Sequence, residues 1–85
     1  MKVYFSREFI KNLKKAPKRV KIAFKNRLEI FLKDPFDSRL RNHPLKGKLK
    51  GYRSINITGD WRALFKETED GVYFTVIGTH SQLYK

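Results

Sequence analysis

The 85-residue chain has no cysteine, only three prolines and five glycines, and a single tryptophan. Without thiols it can form neither disulfide staples nor thiolate metal sites, a composition that fits a reducing compartment. No stretch approaches the ~20 consecutive apolar residues of a membrane-spanning helix, and the opening MKVYFSREF lacks the apolar run of a leader. A cytoplasmic protein with no membrane partner is expected. There is no GxxxxGKS/T loop, GxGxxG turn or GxSxG elbow, and no Cys or His cluster at metal-ligand spacing. Nucleotide-cradling, serine-hydrolase and metal chemistries therefore lack their signatures, and neither metal nor cofactor is expected.

Acidic residues are also scarce, eight against twenty Lys and Arg, which leaves a net charge of +12. The excess is uneven. Residues 1–50 carry sixteen basic and four acidic side chains, residues 51–85 four of each, and Ser38 to Arg53 holds six cations and no acid. Such a field draws in polyanions, nucleic acid above all, although solvated Lys-rich helix faces would give the same count over the first half. Hydrophobic residues make up 40% of the chain, with seven Phe and four Tyr, enough for one small folded domain spanning residues 1–85.

Val3-Tyr4-Phe5 is a short β-type run, and Ser6 after it is a natural N-cap. The spacing predicts a helix over about Arg7 to Lys15 that buries Phe9, Ile10 and Leu13, with Phe5 and Ile10 as a hydrophobic staple. Pro17 suits the first turn of a second helix, Pro17 to Lys33, carrying Val20, Ala23, Phe24, Leu28 and Phe31 as its inner stripe. Asp34-Pro35 ends it. From Phe36 to Gly51 periodicity disappears, and a long functional loop is expected. Three strands follow at Tyr52–Ile57, Trp61–Lys66 and Val72–Thr79, joined by a two-residue Thr58-Gly59 turn and by Glu67–Gly71. That first turn would set Ile55 opposite Arg62 and bring Arg53 and Arg62 to one sheet face. The order gives an α+β fold, an N-terminal strand and two-helix hairpin packed on an antiparallel sheet completed by a C-terminal three-strand meander, with the far sheet face free.

The chemistry left open to such a chain is metal-free phosphodiester cleavage, which requires a base, an acid and cations for the developing charge. Histidine suits the first two tasks by its intrinsic pKa, and the chain has two, His43 and His80. Alone, each reads first as a hydrogen-bonded surface residue. Asp60 reads first as a turn former, Trp61 as core ahead of a base-stacking platform, and Tyr84 equally as a packed aromatic or a base-stacking one.

Taken together, HPLKGKLKGYRSI, GDWRALF and VIGTHSQLY resemble the RelE/ParE superfamily of toxins from bacterial toxin–antitoxin pairs, and most of all its YafQ-like branch, over nearly the whole chain. The resemblance implies a RelE-like fold and a type II toxin acting as a ribosome-dependent endoribonuclease (mRNA interferase). Such an enzyme cleaves translated mRNA in the A site by 2′-hydroxyl attack, without a metal. It also implies a cognate antitoxin, acidic and partly disordered, with the ribosome and mRNA as further partners. Carried over by motif, His43, Asp60, His80 and Arg62 are the catalytic candidates. Lys46, Lys48, Lys50, Arg53, Asn56, Trp61 and Tyr84 are the RNA-binding candidates. One position departs from the pattern: YafQ-like members have a histidine four residues before the aspartate of the DW pair, where this chain has Asn56. A ParE-like gyrase inhibitor and a non-catalytic RNA- or ribosome-binding module keep the same basic field and stand as the alternatives.

Overall fold

The computed structural model describes residues 1–84. Its elements run β1 (Lys2–Phe5), α1 (Arg7–Lys15), α2 (Lys18–Lys33), β2 (His43–Pro44), β3 (Arg53–Asn56), β4 (Trp61–Glu67), β5 (Gly71–Thr79) and α3 (His80–Leu83). The sheet order is β1-β5-β4-β3-β2. The sheet is mixed: β1 runs parallel to β5, and the remaining neighbours are antiparallel. Parallel pairing needs a crossover connection, and both helices of the hairpin lie in the one between β1 and the meander.

Local chemistry explains the helix boundaries. Ser6 caps α1 by accepting the Phe9 backbone N–H at 2.9 Å, and its hydroxyl donates to the Thr75 carbonyl at 2.6 Å, pinning the helix start to β5. Pro17, expected as the first helical residue, sits instead at the cap of α2, which begins one residue later at Lys18; its missing N–H is harmless there. Six of the seven phenylalanines make the core between helices and sheet. Phe5, Phe9, Phe24 and Phe74 have ring centroids 5.2 to 6.2 Å apart, and Phe31 and Phe65 join Phe74 at 5.6 and 5.3 Å. Burial stabilises by roughly 1.5–3 kcal/mol per large side chain. Ile10, expected inside, is 45% exposed. Phe9 and Leu13, four apart, take the inner face of α1, and Ile10 is rotated away from it.

The expected long loop is largely structured. Residues Ser38–Leu40 and Gly47–Leu49 form 3₁₀ turns, and β2 between them pairs with β3, His43 opposite Ser54 and Pro44 opposite Arg53. Neither a single 3₁₀ turn nor a two-residue strand imposes a hydrophobic period. Asp37 caps the first turn by accepting the Arg39 N–H at 3.0 Å and takes the Arg39 guanidinium at 2.9 and 2.8 Å. That fork holds the Asp37 carboxyl down at about 2.

The β3–β4 register is displaced by one residue from the expected one. Thr58 Oγ1 accepts the Trp61 N–H at 3.1 Å, and Ile57 N–H donates to the Trp61 carbonyl at 2.9 Å, so three residues close the turn in place of two. Ile55 then faces Ala63, and Asn56 faces Arg62. Because side chains alternate along a strand, Arg53 projects to the helix side with Ile55 and Ile57, away from Arg62. There its Nε donates to Asn42 Oδ1 at 2.8 Å and its guanidinium lies 5.3 Å from the Phe36 ring centroid. The far face of the sheet is not wholly free either: Ser54 and Leu64 on it are buried, and Tyr84 beyond α3 reaches across to Ser54.

Candidate active site

Three separate segments converge on that far face. The first is the bend before β2. Arg41 adopts the left-handed conformation at φ 49°, ψ 47°, which costs a non-glycine residue ~1–2 kcal/mol. Its carbonyl oxygen lies 2.8 Å from His43 Nδ1. A carbonyl can only accept, so Nδ1 carries the proton and Nε2 of the neutral ring keeps its lone pair.

The second segment is the β3–β4 hairpin, whose pair Asn56 and Arg62 points to this face. Arg62 is braced by its turn, its Nη1 donating to the carbonyls of Thr58 at 3.1 Å, Gly59 at 3.2 Å and Trp61 at 3.1 Å. Among the described residues, Nε and Nη2 have no hydrogen-bond partner.

The third is α3. His80, expected at the end of a strand, is the first residue of this one-turn helix. A capping box starts it: Thr79 Oγ1 accepts the Gln82 N–H at 3.3 Å, and Gln82 Oε1 accepts the Thr79 N–H at 2.8 Å. The His80 backbone N–H donates to the Asp60 carbonyl at 2.8 Å, fastening α3 to the β3–β4 turn. Four residues apart on the helix, the rings of His80 and Tyr84 lie 4.6 Å apart, and Tyr84 OH donates to Ser54 Oγ at 3.0 Å.

These segments enclose a cleft of about 610 Å³ lined by Arg41, Asn42, His43, Leu45, Asn56, Arg62, His80 and Tyr84. It holds both histidines and two arginines, and among the described residues no carboxylate lines it. Lys46 and Lys48 border an adjoining hollow with Leu49, Leu83 and Tyr84, and Lys50 is exposed at the end of the same segment. Three candidates lie elsewhere. Arg53 is on the helix side for the reason given above. Trp61 packs against the core and lines a groove with Glu8, Asn12 and Ala16. The Asp60 side chain is exposed at the turn and does not line the cleft, although its carbonyl holds His80. Sequence reasoning missed Arg41, Asn42, Leu45, Ser54 and the Thr79–Gln82 box. Only the last had a legible signal, the T-x-x-Q spacing.

A five-stranded mixed sheet with a helical hairpin packed on one face is the RelE-like fold. The RelE–RelB antitoxin–toxin complex of Methanococcus jannaschii shares it at a TM-score of 0.76 and 21% identity, over 95% of this chain and 94% of that one. Across residues 1–85 the chain matches the family described as the bacterial toxin of type II toxin–antitoxin system, YafQ, and it belongs to that family. The mRNA interferase toxin YafQ of Escherichia coli K12 is 31% identical over 86 residues, covering 96% of this chain and 94% of that protein. The crystal structure of YafQ from strain BL21(DE3) superposes at a TM-score of 0.83 with 27% identity, over 99% and 98% of the two chains. In the E. coli DinJ–YafQ toxin–antitoxin complex the corresponding values are 0.79, 30%, 99% and 97%.

Proposed function

We propose that this YafQ-family toxin is an endoribonuclease that cuts mRNA in the ribosomal A site as it is translated, by metal-independent attack of a ribose 2′-hydroxyl on the adjacent phosphate. The observation that carries the reading is the meeting of His43 and His80, from segments far apart in the chain, in one cleft with Arg41 and Arg62. Its curated relatives are named mRNA interferases, which supports the same reaction class.

His43 acts as the base. Its Nδ1–H is engaged by the Arg41 carbonyl, so Nε2 takes the 2′-hydroxyl proton as that oxygen bonds to phosphorus. The bond from phosphorus to the 5′-oxygen breaks, and His80, as the acid, protonates the departing oxygen. The products are a 2′,3′-cyclic phosphate and a 5′-hydroxyl. Arg62, held by three carbonyls, presents its free guanidinium edge to the phosphorane without reorganising, and Arg41 adds a second charge; preorganised charge of this kind is commonly the largest catalytic contribution. Asn56 orients the substrate by hydrogen bonding, so proton transfer falls to the two histidines. Asp60 serves as a positioning residue through its carbonyl. Tyr84 sets the His80 ring and offers its edge to a base, while Lys46, Lys48 and Lys50 hold flanking phosphates.

The partners are then the ribosome, mRNA and a cognate antitoxin, a cytoplasmic setting. The antitoxin is acidic and partly disordered, folding onto the basic surface; related toxins have been solved with antitoxins bound. The test is a translating ribosome programmed with a message carrying a single 2′-deoxynucleotide at a mapped cut site. Cleavage there should cease while neighbouring sites are still cut, leaving 2′,3′-cyclic phosphate ends. Undiminished cleavage at the deoxy site would rule out 2′-hydroxyl attack.

A further inference from the structure

Four side chains form a row across the far face of the sheet that the cleft does not use. Tyr4 on β1 pairs with Tyr73 on β5, Tyr73 pairs with Lys66 on β4, and Lys66 lies with its ammonium 4.6 Å from the ring centroid of Tyr52 at the head of β3. Lys66 and Arg62 share a face, because they are four residues apart on β4, a distance of ~13 Å. The row therefore lies on the same sheet face as the cleft. Between them Leu64 and its β3 partner Ser54 are buried, and Tyr84 reaches over to Ser54, so Tyr84 stands between the row and the cleft.

Its chemistry differs from that of the cleft. Tyr4 is 43% and Tyr73 37% exposed, large aromatic residues presented on adjacent strands of an open sheet. Exposed aromatic rings on a sheet face are platforms on which unpaired bases stack, with little dependence on sequence. Lys66, held by the Tyr52 ring, supplies a fixed positive charge at the end nearer the cleft. The other end is bounded by Asp70, which accepts the Tyr4 hydroxyl at 3.1 Å and pairs with Lys2 at 3.7 Å.

We propose that the Tyr52–Lys66–Tyr73–Tyr4 row is a second RNA-binding site, which holds single-stranded nucleotides flanking the scissile phosphate: Lys66 takes a backbone phosphate and Tyr73 stacks a base. The proposal rests on the cleft being the cleavage site. It also gives an order of importance, with Tyr73 and Lys66 first and Tyr4, beside its carboxylate, last.

The test uses the full chain with His80→Gln to prevent turnover, and compares its affinity for a trinucleotide, which fills only the cleft, with that for a longer single-stranded RNA. The longer RNA should bind more tightly. Tyr73→Ala should reduce that advantage about tenfold, with the trinucleotide unaffected, and Tyr73→Phe should restore it because the ring is kept. Lys66→Gln, which leaves the core untouched and serves if Tyr73→Ala does not fold, should lower affinity for the longer RNA and flatten its salt dependence. If the longer RNA gains nothing over the trinucleotide, or its gain survives both substitutions, the proposal is wrong. Loss of antitoxin affinity with RNA binding intact would make the row a protein-docking surface and would equally overturn it. Length-dependent binding that requires Tyr73, with no binding of the trinucleotide, would uphold the row and refute the cleft.

Discussion

The carbonyl oxygen of Arg41 stands 2.8 Å from Nδ1 of His43, and Arg41 reaches that position only through a left-handed backbone conformation. The pair fixes one tautomer of the proposed base. In ¹⁵N-resolved NMR spectra the neutral His43 ring should appear protonated at Nδ1. Arg41→Asn, which tolerates the left-handed region, should preserve that signature, whereas Arg41→Val should shift the ring toward the other tautomer. Both substitutions remove the same charge, so a difference between them isolates the backbone effect.

The bond from Tyr84 to the fully buried Ser54 fastens α3 to the sheet. A net hydrogen bond of this kind contributes ~1 kcal/mol, so Tyr84→Phe should lower the melting temperature by roughly 4–8 °C. Ser54→Ala should do the same, and the double variant should lose little more than either single one, as expected for one shared interaction. Additive losses in that calorimetric cycle would show that the two groups act separately.

Gly71 is required by the approach of β1. A side-chain carbon there would fall 1.8 Å from the Lys2 carbonyl oxygen, so Gly71→Ala must separate β1 from β5. The expected result is faster hydrogen exchange at the β1 amides and a lower melting temperature. Gly59→Ala, at a position with nothing within 4 Å, is the control and should exchange like the parent.

Acid should remove the cap of the 3₁₀ turn Ser38–Leu40. Asp37 titrates at about 2 because the Arg39 side chain, and then its backbone N–H, stabilise the carboxylate. The folded pKa lies below the ordinary 3.8, so the contribution is complete above about pH 4 and is lost as pH falls through about 2. Asp37→Asn should therefore be less stable than the parent at neutral pH and should converge with it near pH 2, as read by thermal melts across that range.

The sequence showed what depends on periodicity and caps. Ser6, the α2 stripe through Phe24 and Phe31, and the meander all lie close to where pattern placed them. It did not show what depends on counting residues in a turn. The additional residue closed by Thr58 moved Arg53 to the helix side and set Asn56, in place of Ile55, opposite Arg62. Nor did it show β2, because two residues have no period, or the Arg41 bend, because nothing in an arginine predicts positive φ. The motif residues His43, Arg62, His80 and Tyr84 share one cleft, whereas the side chains of Asp60 and Trp61 stand outside it. Residues adjacent in a motif alternate in direction along a strand, so Trp61 and Arg62 cannot both face the cleft.

The measurement that bears most directly on the central claim is the mapping of mRNA ends after brief expression of the wild type, His43→Ala and His80→Ala, each with and without a block to translation. Wild type should create new ends within the reading frames of translated messages. These should disappear under the block and fall by about 10²–10⁴-fold in each histidine variant, the range for loss of a general acid or base. Ends that persist in His80→Ala, or growth arrest with uncut messages and DNA-damage signalling, would contradict the account.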